Sequence, residues 1–186
     1  VRHWFDHVLR DAFVLAASGG YRPFRDVAIS ALHDVTGHRL PQGAAEELIS
    51  AMAALDARAD AAPAMRRVRD AGVAVLTLTN GAAETTRRLL DGAGLSDHVQ
   101  RVISIDEVGR GKPAPEPYRY AAEACGVAPH RLALVAAHGW DVHGARSAGL
   151  TTGWSSHLEG RFPAVFDPAD VMGTDLVSVV DGLLEL

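Results

Sequence analysis

The 186-residue chain contains one cysteine, Cys125. No internal disulfide can form, so the fold rests on packing and hydrogen bonds, as suits a reducing cytoplasm. Cys125 sits in an alanine-rich helical run and reads as a small buried apolar residue rather than a nucleophile. Aromatic residues are scarce, at 6%. No apolar run nears the roughly 20 residues of a membrane-spanning helix, and no basic, apolar, small-residue leader opens the sequence. A cytoplasmic protein without a membrane partner is expected. Positive charge is not in excess either. The 18 Lys and Arg against 23 Asp and Glu give a net charge of −5, the wrong sign for a nucleic-acid face. Repeats and low-complexity linkers are missing. What is present is a 48% share of hydrophobic residues, enough for one core with a small additional unit.

The chain changes character near residue 60. Before it, Trp4, Phe5, Val8, Leu9, Ala12 and Phe13 recur at helical spacing and predict a helix over 2–17, ended by Ser18-Gly19-Gly20. Pro23 to Val35, with proline in the first turn, and Pro41 to Leu55 predict two more helices. Residues 1–59 are thus expected to form an all-helical unit and 60–186 a second unit. In the second, a helix over Asp60–Ala71 is followed by strands at Val73–Thr79, Arg101–Ile105, Leu132–Ala136 and Thr151–Trp154. Between and after them come helices at Ala82–Asp91, Ala114–Ala124, Asp141–Ala148 and Thr174–Leu184, with residues 157–170 as a loop. Such alternation predicts an α/β fold, a Rossmann-like parallel sheet with helices on both faces.

Three of these strands end in polar residues just before a helix, which is where open α/β sheets place their sites. Thr79 and Asn80 offer a hydroxyl, an amide and free backbone N–H groups, an anion pocket; the plainer reading is a turn with Thr79 as helix cap. Lys112, between Gly111 and Pro113, is held out of helical conformation and could neutralise carboxylates, where a surface lysine would face water. After Ala136 the loop Ala137-His138-Gly139-Trp140 leads to Asp141, which stands where a helix begins and could serve as its N-cap. His138 has the ordinary pKa, about 6.5, for activating a water, or could simply be packed. Trp140 reads as a pocket wall or core residue.

Thr79-Asn80-Gly81, Lys112-Pro113 with Pro115-Glu116-Pro117-Tyr118, and AAHGWDVHGARSAGL resemble motifs two, three and four of the haloacid dehalogenase superfamily. The spacing and the Trp140-Asp141 pair look most like its type II (L-2-haloacid) branch, and residues 1–59 are similar to that branch's helical cap. The resemblance implies hydrolysis of a 2-haloalkanoic acid, a small halogenated carboxylic acid, through an aspartyl ester. In it Thr79 and Asn80 bind substrate and nucleophile oxygens, Lys112 contacts the nucleophile, Tyr118 lies near the site, and Asp141 with His138 organises water. It also makes a cap-mediated homodimer plausible. Magnesium-dependent phosphatases of the superfamily carry an acid where this chain has Ala137, so no metal and no cofactor are expected; magnesium wants several hard oxygens.

The chain departs from the family in the loop after the third strand, where many dehalogenases have an Asn in place of His138 and a Ser in place of Ala136, and at two further places. The arginine that grips the substrate carboxylate directly follows the cap tryptophan, and here Phe5 follows Trp4. Arg10 is the candidate substitute, although an arginine on such a helix usually faces water. The family's opening strand, ending in the nucleophilic aspartate, also finds no match, since Asp6, Asp11, Asp26 and Asp34 all lie in helical surroundings. The first, central strand is therefore expected to be absent, with a gap flanked by the strands at Val73 and Leu132 and no dehalogenation by this chain alone. A superfamily phosphatase and a catalytically inactive fragment or binding protein are the alternatives.

Overall fold

The computed structural model describes residues 2–186; Val1, the first residue of the expected helical unit, lies outside the described residues. Three helices come first: α1 (Arg2–Ala17), α2 (Phe24–Val35) and α3 (Ala44–Ser50). Their apolar faces meet around Val8, Val27, Ala28, Ala31 and Ile49, with Trp4, Phe5 and Phe24 packed outside. The Trp4 indole N–H donates to the Ala28 carbonyl at 2.9 Å, pinning α1 on α2. Pro23 is the N-cap of α2 rather than a first-turn residue. The third expected helix is shorter than its pattern and finishes as a 3₁₀ turn, Ala51–Ala54.

There follow α4 (Ala61–Asp70), β1 (Leu76–Thr79), α5 (Ala83–Gly92), β2 (Arg101–Ser104), α6 (Pro115–Ala124), β3 (Ala133–Ala136), α7 (Gly139–Ser147), β4 (Thr151–Ser155), β5 (Val171–Gly173) and α8 (Leu176–Leu184). All strand pairs are parallel: β1 with β2, β3 with β4, and β4 with β5. Strand alternation sorts the helices onto two faces. Leu134 packs with Tyr118, Ala145 and Leu150, on the side of α6 and α7. Val135 and Gly153 point the other way, where a Cβ on Gly153 would lie 2.5 Å from Val179 of α8. Trp154, next along β4, returns to the α7 side against Val142.

Several expectations need correction. β1 starts three residues later than its apolar run, because Val73 is 50% exposed and the ladder toward β2 begins only where Gln100 N–H meets Val75 O. β5 was not expected at all; three residues, Val171 to Gly173, are too few to show a period. α7 begins two residues before Asp141, with His138 as N-cap, so Asp141 is not the cap. Cys125 is exposed at the end of α6 rather than buried.

The strands form two sheets, β1-β2 and β3-β4-β5, and β1 and β3 are not hydrogen-bonded to each other. β1 is half-buried along its length, and β3 is exposed at Ala133 and half-buried after it. Amide exchange along β1 and β3 of the 186-residue chain should therefore alternate, slow for amides facing β2 or β4 and fast for those facing away. Uniform protection of both strands would contradict an open gap between them.

Candidate active site

The carboxyl ends of β1, β2 and β3 carry the polar loops. After β1, Thr79 Oγ1 accepts the Gly81 N–H at 2.9 Å, so this hydroxyl shapes the turn instead of capping α5, whose N-cap is Ala82. Ser104, 2% exposed at the end of β2, donates to Gly81 O at 2.8 Å and takes the Asp106 N–H, while Glu107 accepts the Ser104 N–H. Sequence reasoning missed this residue, although Ser104-Ile105-Asp106-Glu107 has the Ser-x-x-Glu form of a capping box. Asn80 Oδ1 accepts the Lys112 backbone N–H at 3.2 Å and so ties the first loop to the second.

Lys112 is 7% exposed and Asp141 also 7%. The Lys112 ammonium donates to Asp141 Oδ2 at 2.7 Å and to the Leu78 carbonyl of β1 at 3.2 Å. The Tyr118 hydroxyl, fully buried, donates to the other Asp141 oxygen at 2.6 Å. Both carboxylate oxygens are thus engaged, which is what makes a buried charge tolerable. The close approach that permits it depends on Gly144. A Cβ there would lie 2.7 Å from the Tyr118 hydroxyl and 2.9 Å from the Pro113 carbonyl oxygen. Burial, and then the Asp141 charge, pushes the Tyr118 phenol well above its ordinary pKa, so it stays a donor.

Over this trio lies an aromatic wall. Lys112 Nζ stands 5.9 Å from the Trp140 ring centre. Trp140 meets Phe13 of α1 at 5.2 Å, edge to face, and His138 at 5.6 Å. His138 in turn packs on Phe5 at 5.7 Å. The structure thus gathers Asn80, Lys112, Tyr118, His138, Trp140 and Asp141, with Thr79 serving the turn beside them. Phe5 and Phe13 join from a distant segment; the resemblance places Phe5 where the family has its substrate-gripping arginine, while their ring contacts with these loops leave no mark in the local sequence. A hydrogen bond from Tyr21 to Asp106 closes the same seam further out. Arg10 does not reach the site: its exposed side chain bonds Asp11 at 2.8 Å.

Comparison with known proteins fits this arrangement. The sequence matches the family described as haloacid dehalogenase-like hydrolase over residues 5–149. The chain belongs to the haloacid dehalogenase-like hydrolase family. Among curated relatives, Haloacetate dehalogenase H-2 of Moraxella sp. (strain B) is 25% identical over 98% of this chain and 81% of its own length. The phosphoserine phosphatase of Thermus thermophilus is 44% identical over 53% of this chain, a stretch covering 39% of that enzyme. A solved haloacid dehalogenase-like structure, the L-2-haloacid dehalogenase RSc1362, superposes with a TM-score of 0.90 at 27% identity, over 99% of this chain and 84% of that one.

Two measurements test the buried trio. Lys112→Met should cost about 3–5 kcal/mol, since it strands the Asp141 charge. The double variant Lys112→Met/Asp141→Leu should recover most of that loss in urea unfolding, because the Tyr118 hydroxyl still reaches the backbone oxygen of residue 141, now at 3.2 Å. Equal losses in the single and double variants would contradict a coupled pair.

The second concerns tyrosine ionisation. Tyr118 and Tyr21 are raised first by burial, and Tyr120 first by its bond to Glu107. A folded pKa above the unfolded value of about 10 means the stabilising contribution is complete below that pH and fades as pH rises through the folded values. At about pH 10 the folded chain should show far less tyrosinate absorbance than the unfolded chain, and equal absorbance would refute the carboxylate-bound phenols.

Proposed function

We propose that the protein acts as a 2-haloacid dehalogenase, hydrolysing the carbon–halogen bond of a short 2-haloalkanoic acid. The observation that carries this reading is the buried Lys112–Asp141–Tyr118 trio at the end of β1 and the start of α7. It presents a fixed positive charge at a site open toward the space between β1 and β3. The names of the relatives support the substrate class. The helices α1–α3 act as a cap over this site.

The acid of the trio is a poor nucleophile, because Lys112 and Tyr118 already hold both its oxygens. The attacking carboxylate in this reading arrives on a strand that fills the space between β1 and β3, ending beside Lys112. A carboxylate oxygen of that residue bonds to C2 of the substrate as the carbon–halogen bond breaks, and halide leaves with the bonding electrons. Water then attacks the ester carbonyl, giving up its proton to His138. The ester's carbonyl–oxygen bond breaks, the leaving oxygen takes the proton from His138 so that the 2-hydroxy acid departs, and the water's second proton is released as the carboxylate is restored. Asn80 and Thr79 hold oxygens, Lys112 offsets the charge of the attacking carboxylate, and Trp140, Phe5 and Phe13 keep bulk water out.

Phosphate-ester hydrolysis is the second reading, favoured by the similarity to a phosphoserine phosphatase. Magnesium is the metal such an activity implies, and the residues present do not fit it. Ala137 offers no carboxylate, the Asp141 oxygens are engaged by Lys112 and Tyr118, and among the described residues no group of three or more His, Cys, Asp or Glu could hold a metal ion.

The 186-residue chain should release no halide from 2-chloropropionate or bromoacetate. The same chain preceded by a hydrophobic strand ending in aspartate should release it, with EDTA harmless and Lys112→Ala abolishing turnover. Magnesium-dependent hydrolysis of p-nitrophenyl phosphate without halide release would instead establish the phosphatase. Halide release by the chain alone, lost in Lys112→Ala, would show that a residue within it is the nucleophile.

A further inference from the structure

The loop between β4 and β5 leans on the loop between β3 and α7. Glu159 Oε2 accepts the Gly139 N–H at 2.9 Å. Pro163 presses on the same residue so closely that a Cβ on Gly139 would lie 2.4 Å from Pro163 Cδ. Phe162 meets the Trp154 ring edge to face at 5.3 Å, and the Trp154 indole N–H donates to Ala137 O at 3.2 Å. Phe166 stacks on His143 of α7 at 4.6 Å. The β4–β5 loop thus touches the β3–α7 loop at Gly139 and α7 at His143, and Phe162 packs on the β4 tryptophan that bonds Ala137.

The first amides of a helix lack partners inside it. His138, the N-cap of α7, makes no capping bond with its side chain. Glu159 supplies the missing acceptor from 20 residues away, and a negative charge suits a helix N-terminus. Gly139 lies directly between His138 and Trp140. Ring contacts such as Phe5 on His138 tolerate sliding, whereas a short bond to the next backbone amide does not.

We propose that Glu159 is a positioning residue for the site, its carboxylate fixing the first turn of α7 and, through it, the places of His138 and Trp140. The inference rests on the dehalogenase reading only for what those two residues do; the positioning itself belongs to the resting protein. Pro163 serves the same end, because only glycine at 139 lets the two loops approach closely enough for the carboxylate to reach the amide.

The test is read by NMR on the labelled full chain without substrate, so it stands or falls separately from the dehalogenase reading. In Glu159→Ala the Gly139 amide should exchange about tenfold faster, and the His138 ring and Trp140 indole resonances should move. Glu159→Gln keeps an oxygen acceptor and should hold exchange within about threefold of the parent, with both resonances near their original places. Unmoved resonances and unchanged exchange in Glu159→Ala would overturn the proposal. So would a Glu159→Gln protein that matches Glu159→Ala, since charge alone would then account for the effect. If Glu159→Ala fails to fold, the glutamine variant decides by the same two signals.

Discussion

The site depends on one buried ion pair. Taking an ammonium and a carboxylate out of water costs several kcal/mol each, offset only where geometry is close and the remaining donors and acceptors find partners. Here the 2.7 Å contact between Lys112 and Asp141 is completed by the Tyr118 hydroxyl on one side and the Leu78 carbonyl on the other. Four elements therefore meet at one charge pair: β1, the loop before α6, α6 itself and α7. An ammonium has three donors, and two are accounted for by these bonds. In the proposed reading the third faces the attacking carboxylate.

The same pair explains why the first helices can serve the site without touching its charges. Their contribution is aromatic. Phe5 and Phe13, eight residues apart on α1, come down on His138 and Trp140, and Trp140 faces the Lys112 ammonium. A wall of rings adds no carboxylate or ammonium beside Lys112 and Asp141, and in the proposed reading a field in a drier site acts more strongly on a developing charge. Where the family resemblance implies an arginine, this chain places Phe5 against the loop that carries His138.

The alternation of apolar runs and turn residues made the parallel α/β core legible, and α1 matches its pattern from end to end. Lys112, Tyr118 and Asp141, named through short motifs shared with the family, do come together, from the loop before α6, from α6 and from the first turn of α7. Boundaries were less legible for a physical reason. Val73 has strand chemistry but no neighbour to pair with, and Asp141 looks like a cap until Tyr118 and Lys112 claim its oxygens. Contacts that join distant segments carry no local mark. Glu159 on Gly139 could not be read from spacing, and only the family resemblance places Phe5 near the site, since each contact depends on two segments brought together by the whole fold.

Two hydrolytic chemistries are within reach of such a core, and they differ in how positive charge is delivered. A metal ion needs a cluster of free carboxylate oxygens, which repel one another until the ion arrives. In this site the carboxylate is already neutralised, and its neighbour four residues earlier is Ala137. Converting it to a metal site would mean breaking a buried pair before any ion could be gained. A lysine, by contrast, delivers its charge permanently and leaves a carboxylate nucleophile free to attack carbon rather than to hold an ion. That charge arrangement is the physical ground for proposing displacement at a carbon–halogen centre rather than transfer of a phosphoryl group, whose several negative oxygens call for more positive charge than one shared ammonium supplies.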